Sequence, residues 1–156
     1  MKSWVKLSTA LLMLALITVK VSAQEFKTGS IEFDTDLRTI NAEAKADFGA
    51  FKAKLGGTYN IEEKKIEEMH GSLKMEPAEI YLALELGRQT GKPIDDVVEV
   101  YNENRGKGWG VIAKELGIKP GSAEFHALKK SAKGKAMKGK GNKKEKHNGK
   151  GKGHNK

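Results

Sequence analysis

The sequence predicts an all-α fold, a small bundle of about five or six helices, on three observations. Apolar residues recur at spacings of three and four along most of residues 36–128, and no segment sustains a period-two alternation. Glycine, proline or a capping residue also interrupts the chain at helix-sized intervals, leaving short connections. The C-terminal half reads as a helix-turn-helix-like trihelical unit, followed by a disordered basic tail. The expected organisation is therefore an export signal at 1–23, an α-helical domain at 24–130 and a Lys/Gly-rich tail at 131–156.

The signal comes first. Met1–Lys6 carries two lysines, Leu7–Val19 has no charged residue, and Val21-Ser22-Ala23 sets small residues where a signal peptidase cuts, so the mature chain would begin at Gln24. The apolar run is shorter than the roughly 20 residues of a membrane-spanning helix, and Lys20 closes it. No cysteine stands near the cut, which excludes lipoprotein anchoring. The chain has no cysteine anywhere, which removes disulfides, thiolate catalysis and Cys-ligated zinc together and suits an oxidising compartment.

Glu25–Phe33 holds Phe26, Ile31 and Phe33 around Thr28-Gly29-Ser30 and reads as a loop. From Asp36, the residues Leu37, Ile40, Ala44, Phe48, Phe51 and Leu55 lay one stripe along a single helix, capped by Asp34 or Thr35 and stopped by Gly56-Gly57. Asn60 with Glu63 three residues on is a capping-box signature for a second helix bearing Ile61, Ile66, Met69 and Leu73 and ending near Gly71. Pro77 opens a third, apolar on nearly all sides from Ile80 to Leu86, which belongs at the centre of the bundle. Pro93 opens a fourth with Ile94, Val97, Val98 and Tyr101 on one face and Asp95, Asp96 and Glu99 at its positive end. Arg105-Gly106-Lys107-Gly108 breaks it. Trp109, Ile112, Ala113 and Leu116 give a short fifth helix ended by Gly117. Ser122 caps a last one carrying Phe125 and Leu128.

The densest motif is Gly108–Lys129, with Gly108, Trp109, Gly110, Gly117, Pro120, Gly121, Ser122, Phe125 and His126 as its structural residues. Its glycines match neither the G-x-G-x-x-G of a dinucleotide fold nor the Gly-Lys-Ser/Thr of a P-loop. They read as a turn that lets Trp109 fold back on the core, with His126 bonding across to it. As a helix-turn-helix it departs from the DNA-binding pattern. Pro120-Gly121 tightens and lengthens the turn, and Glu124, Phe125 and His126 stand where Arg, Asn or Gln would meet base edges. The same stretch resembles a group of small uncharacterised exported bacterial proteins that share the wording GWG-x-IAKELGIKPGS-x-EFH-x-LK. With Pro77–Arg105 the likeness covers about a third of the chain. That resemblance implies export and a helical fold, and it implies no reaction.

Catalysis finds no constellation. Asp95-Asp96, Glu62-Glu63 and Glu67-Glu68 read as solvated surface charge, His70 and His126 lack partners at metal-ligand spacing, and His147 and His154 lie seven residues apart among lysines. No catalytic residue, metal or cofactor is expected. Charge carries the functional expectation instead. The whole chain is formally +9, yet residues 129–156 hold twelve lysines against Glu145 alone, so the rest of the mature chain is mildly acidic. Lys133, Lys135, Lys138, Lys140, Lys143, Lys144, Lys146, Lys150 and Lys152 are the expected polyanion-binding residues. With no aromatic among them they attract by charge and counterion release and read no base sequence. The expected function is that of a non-catalytic exported helical module, in the periplasm or outside the cell. It would bind lipopolysaccharide, polysaccharide, non-specific nucleic acid or an anionic membrane surface. The competing expectation is a helix-turn-helix DNA-binding protein with a misread N-terminus. No small-molecule substrate is inferred.

Overall fold

The computed structural model describes residues 25–142 and the bundle is all-helical, with seven helices and no strand among the described residues. They are α1 (Ile31–Ala46), α2 (Phe48–Tyr59), α3 (Glu63–Gly71), α4 (Pro77–Thr90), α5 (Ile94–Glu103), α6 (Trp109–Glu115) and α7 (Ala123–Asn142). The export signal, and the tail from Lys143 onward with Lys144, Lys146, Lys150 and Lys152, lie outside the described residues.

The centre is α4. Every residue from Pro77 to Gly87 is buried, as its all-round apolar character demands, and α1, α2, α3, α5 and α7 all pack against it. Its start is held from α1. The buried Asn41 accepts through Oδ1 from the Ala78 amide at 3.3 Å and donates through Nδ2 to Glu76 Oε2 at 3.1 Å, so two polar groups at a helix end find partners inside the protein. Fully buried Leu37, Ile40, Leu55, Ile66 and Met69 line α4 from the other side. Ion pairs stitch the rim, with Lys52 bonded to Glu63 and Glu67 and Lys65 bonded to Glu68 and Asp95.

Four expectations change. The single helix expected over 36–55 is two: α1 starts earlier, where Ser30 Oγ accepts from Phe33 N, and the chain breaks at Asp47. Asp47 leaves the helical region and its Oδ1 accepts from Ala50 N at 3.0 Å, capping α2. Asp34 is no cap but takes the Thr28 amide and hydroxyl at 3.1 and 2.7 Å. Gly56-Gly57 does not stop α2 either. Asn60 does so, in the left-handed region at φ 51°, and it therefore closes α2 instead of opening α3 as a capping box.

The expected loop over Glu25–Phe33 is a loop as far as Ser30, α1 taking over at Ile31, and it enters the core. Phe26 is fully buried, and the backbone of 26–28 lies across the start of α6. Disorder expected from Ser131 gives way to helix as far as Asn142. Ala132 and Ala136 continue the buried line of Leu128 at intervals of four, which supplies the packing that the lysine-rich composition concealed. Finally, α7 leaves α6 after the Gly117–Ser122 connection and runs chiefly along α1, so the C-terminal half meets the N-terminal half over its length.

Candidate functional site

The predicted structural motif is built as a clasp. Gly108 adopts φ +102°, and a Cβ placed there would stand 2.5 Å from the Lys27 Cβ, so both conformation and space require glycine. Trp109 N donates to Phe26 O at 2.8 Å and Gly110 N to Lys27 O at 3.1 Å. The role assigned to His126 is thus taken by Phe26 and Lys27. His126 itself is exposed, with its ring 6.5 Å from Phe125. Phe125 meets Phe33 edge-on at 6.0 Å, and Ser122 Oγ accepts from Phe125 N at 3.2 Å, the cap its sequence position predicts. Gly117 and Gly121 take positive φ on either side of Pro120, which turns the chain from α6 to α7.

Beneath the clasp lies Glu79, a carboxylate that the sequence analysis passed over. It is buried, and its Oε1 accepts from Trp109 Nε1 at 3.3 Å while its Oε2 accepts from Tyr101 hydroxyl at 3.2 Å and Glu76 N at 2.8 Å. Burial, and then the Glu79 charge, push the Tyr101 phenol up to about 12. Arg105 stands 5.9 Å over the Tyr101 ring, and a hollow of about 240 Å³ opens here between Lys74, Arg105 and the Gly106–Gly108 turn. The signal in the sequence was a carboxylate, like Glu85 further on, inside a helix that is apolar over most of Pro77 to Gly87. With every Glu79 oxygen accepting from the fold, this centre reads as a support for Trp109.

The second hollow, about 260 Å³, lies between α2, α4 and α7 and gathers lysines. Lys54, Thr58 and Tyr59 enter from α2, Tyr81 from α4, and Lys130, Ser131, Gly134, Lys135 and Lys138 from α7. Tyr81 hydroxyl donates to Ser131 Oγ at 2.8 Å, fixing α7 on α4, and Tyr59 hydroxyl donates to Glu85 Oε2 at 2.8 Å. Burial raises both phenols above their ordinary range. Glu85 is kept ionised: burial pushes its pKa up, but bonds from Arg88, Tyr59 and Gln89 together outweigh that and bring it below the usual carboxylate value. The Lys135 ammonium rests over two rings, 5.0 Å from the Phe51 centroid and 5.4 Å from that of Tyr81. Burial first, and then the neighbouring Lys54 and Lys138 charges against an opposing Glu43, push it down to about 8.

The predicted polyanion-binding lysines therefore separate. Lys135 and Lys138 share the hollow, whereas Lys133 turns to α1 and donates to Glu32 Oε1 at 2.9 Å, with Lys129 3.6 Å from the same carboxylate. Those bonds hold Glu32 below its ordinary range. Lys140 belongs to the last turn of α7. Lys54 and Lys130, which the sequence analysis did not single out for binding, join the hollow because α2 and α7 meet at α4. Among the described residues no three His, Asp or Glu side chains stand close enough to hold a metal ion, and no helix is long and apolar enough to cross a membrane. No protein-family model matches the chain, and neither curated proteins nor solved structures provide a match.

Proposed function

We propose that the protein is an exported, non-catalytic helical module that binds anionic envelope or extracellular polymers through its lysine-rich C-terminal segment. Lipopolysaccharide, acidic polysaccharide and non-specific nucleic acid share the chemistry it would recognise, a high density of phosphate, sulfate or carboxylate. One observation carries the reading: Lys54, Lys130, Lys135 and Lys138 converge on a single hollow, and none is ion-paired among the described residues.

Two further features support it. Glu63, Glu67 and Glu68, the acidic run that the basic tail would otherwise neutralise, already pair with Lys52 and Lys65. Phe26, two residues beyond the expected mature start at Gln24, is the first buried side chain of the described residues, so processing after Ala23 leaves the clasp whole.

Retention of the full chain on heparin resin tests the binding, measured against a variant with Lys143, Lys144, Lys146, Lys150 and Lys152 all changed to Gln. Log K should fall steeply against log salt in the native chain, through counterion release at the lysines engaged, and the variant should show a clearly shallower slope. Equal slopes would remove the reading. A mobility shift selective for one duplex sequence would instead favour the helix-turn-helix alternative. N-terminal sequencing of native protein from cell fractions tests the address, with Gln24 as the expected first residue.

A further inference from the structure

We propose that the hollow between α2, α4 and α7 is a discrete binding site for one tetrahedral oxyanion, a sulfate or phosphate monoester group, held between Lys54 and Lys135. The inference deepens the polymer-binding reading and rests on it only for the source of the ligand: a substituent on a polymer and a free ion offer the same group.

Several observations lead there. The hollow holds about 260 Å³, whereas a water's share of liquid volume is about 30 Å³, so an oxyanion fits with space left for the carbon skeleton it esterifies. Lysines line it from two helices, Lys54 from α2 and Lys130, Lys135 and Lys138 from α7, together with the hydroxyl side chains of Thr58 and Ser131. No carboxylate lines the cavity. Two carboxylates bear on it from outside the lining: Glu85 is bonded by Arg88 and Tyr59, and Glu43 on α1 acts on Lys135 through space.

Lys135 differs from the surface lysines of a solvated helix face. Its ammonium is half-buried and rests on the Phe51 and Tyr81 rings, which restrict where the charge can go. Gly134 beside it leaves open space, since a Cβ there would meet no atom within 4 Å.

The arrangement carries its own pH signature. Lys135 is lowered to about 8 by burial and by the like charges of Lys54 and Lys138, with Glu43 opposing. An oxyanion among them offsets the like charges and favours the protonated amine, so binding takes up a proton near pH 8 and weakens above it. Around it stand Lys54, Lys130 and Lys138 in the hollow and Glu43 on α1, while the two phenols and the buried carboxylate do not titrate in this range. Tyr59 and Tyr81 lie well above it, and Glu85 is ionised throughout.

The test is titration of the ¹⁵N-labelled full chain with inorganic sulfate and with methyl sulfate, at constant ionic strength set by chloride, read at the Ser131 and Gly134 amides. Sulfate carries no titrating proton between about pH 7 and pH 9, so a pH effect belongs to the protein. Saturable shifts are expected at these amides, with affinity falling about tenfold from pH 7 to pH 9 as the charged fraction of Lys135 drops to about a tenth. Lys135→Met, which keeps the stem over the rings, and Lys54→Gln should each weaken binding about tenfold or more, and the pH effect should vanish in Lys135→Met. Methyl sulfate bound at least as tightly as sulfate, despite its one fewer charge, assigns a polymer substituent as occupant, and weaker binding assigns the free ion. Non-saturating shifts, or unchanged affinity in Lys135→Met with a well-dispersed spectrum, would overturn the site. Heparin retention that persists while sulfate titration fails overturns the hollow alone. Saturable sulfate binding without retention overturns the polymer reading alone.

Discussion

Gly108 decides whether the first described residues dock on the start of α6. Its φ of +102° and the 2.5 Å approach of Lys27 to the position of a Cβ leave no room for a side chain, so Gly108→Ala should destabilise the protein by about 2 kcal/mol or more in urea denaturation. A change within about 0.5 kcal/mol would show that the clasp is not closed in solution. Glu85 governs acid stability. Its folded pKa lies below the ordinary carboxylate value of 4.5, so the stabilisation is complete above that value and is lost as pH falls through the folded pKa. Glu85→Gln should lower stability at neutral pH and flatten the loss as pH falls below about 4.5, which thermal melts at stepped pH would reveal. At this scale the sequence was partly legible. That glycines free Trp109 to fold back follows from their density, but Phe26, its partner, is a lone apolar residue with no periodic neighbours to mark it. Glu79 and Glu85 were overlooked because a carboxylate in a sequence carries no sign of the phenol or indole that will bond it.

Helices show the converse. The stripe from Leu37 to Leu55 is truly continuous, and nothing in its period reveals that the backbone turns beneath it at Asp47. Only the side chain of Asp47, which competes for the Ala50 amide, makes the break, so Asp47→Ala should cost about 1 kcal/mol. Chemical denaturation with amide exchange at Phe48–Phe51 would check it, faster exchange being expected there. Pro77, Pro93 and Ser122 opened helices where their positions implied, because a missing amide or a capping hydroxyl acts locally. The lower half of α7 was hidden for a compositional reason. Small alanines at 132 and 136 bury little area each, and lysine and glycine outnumber them, yet they extend the Leu128 line onto the face that α1 and α4 cover.

Across the molecule, Glu63, Glu67, Glu68 and Asp95 are paired with Lys52 and Lys65 of the helical body, while the excess positive charge gathers on and beyond α7. That imbalance was visible in the composition. The lysine hollow was not, because Lys54 and Lys135 lie far apart in sequence and only the packing of α2 and α7 on α4 joins them. The fit of α7 along α1 also fixes when the architecture can form. A chain emerging from its N-terminus has α1 early but lacks the neighbour that covers it until α7 is complete, and contacts spanning so much sequence are slow to close. A partly synthesised chain therefore has no finished body, and commitment to the native topology waits for its last helix.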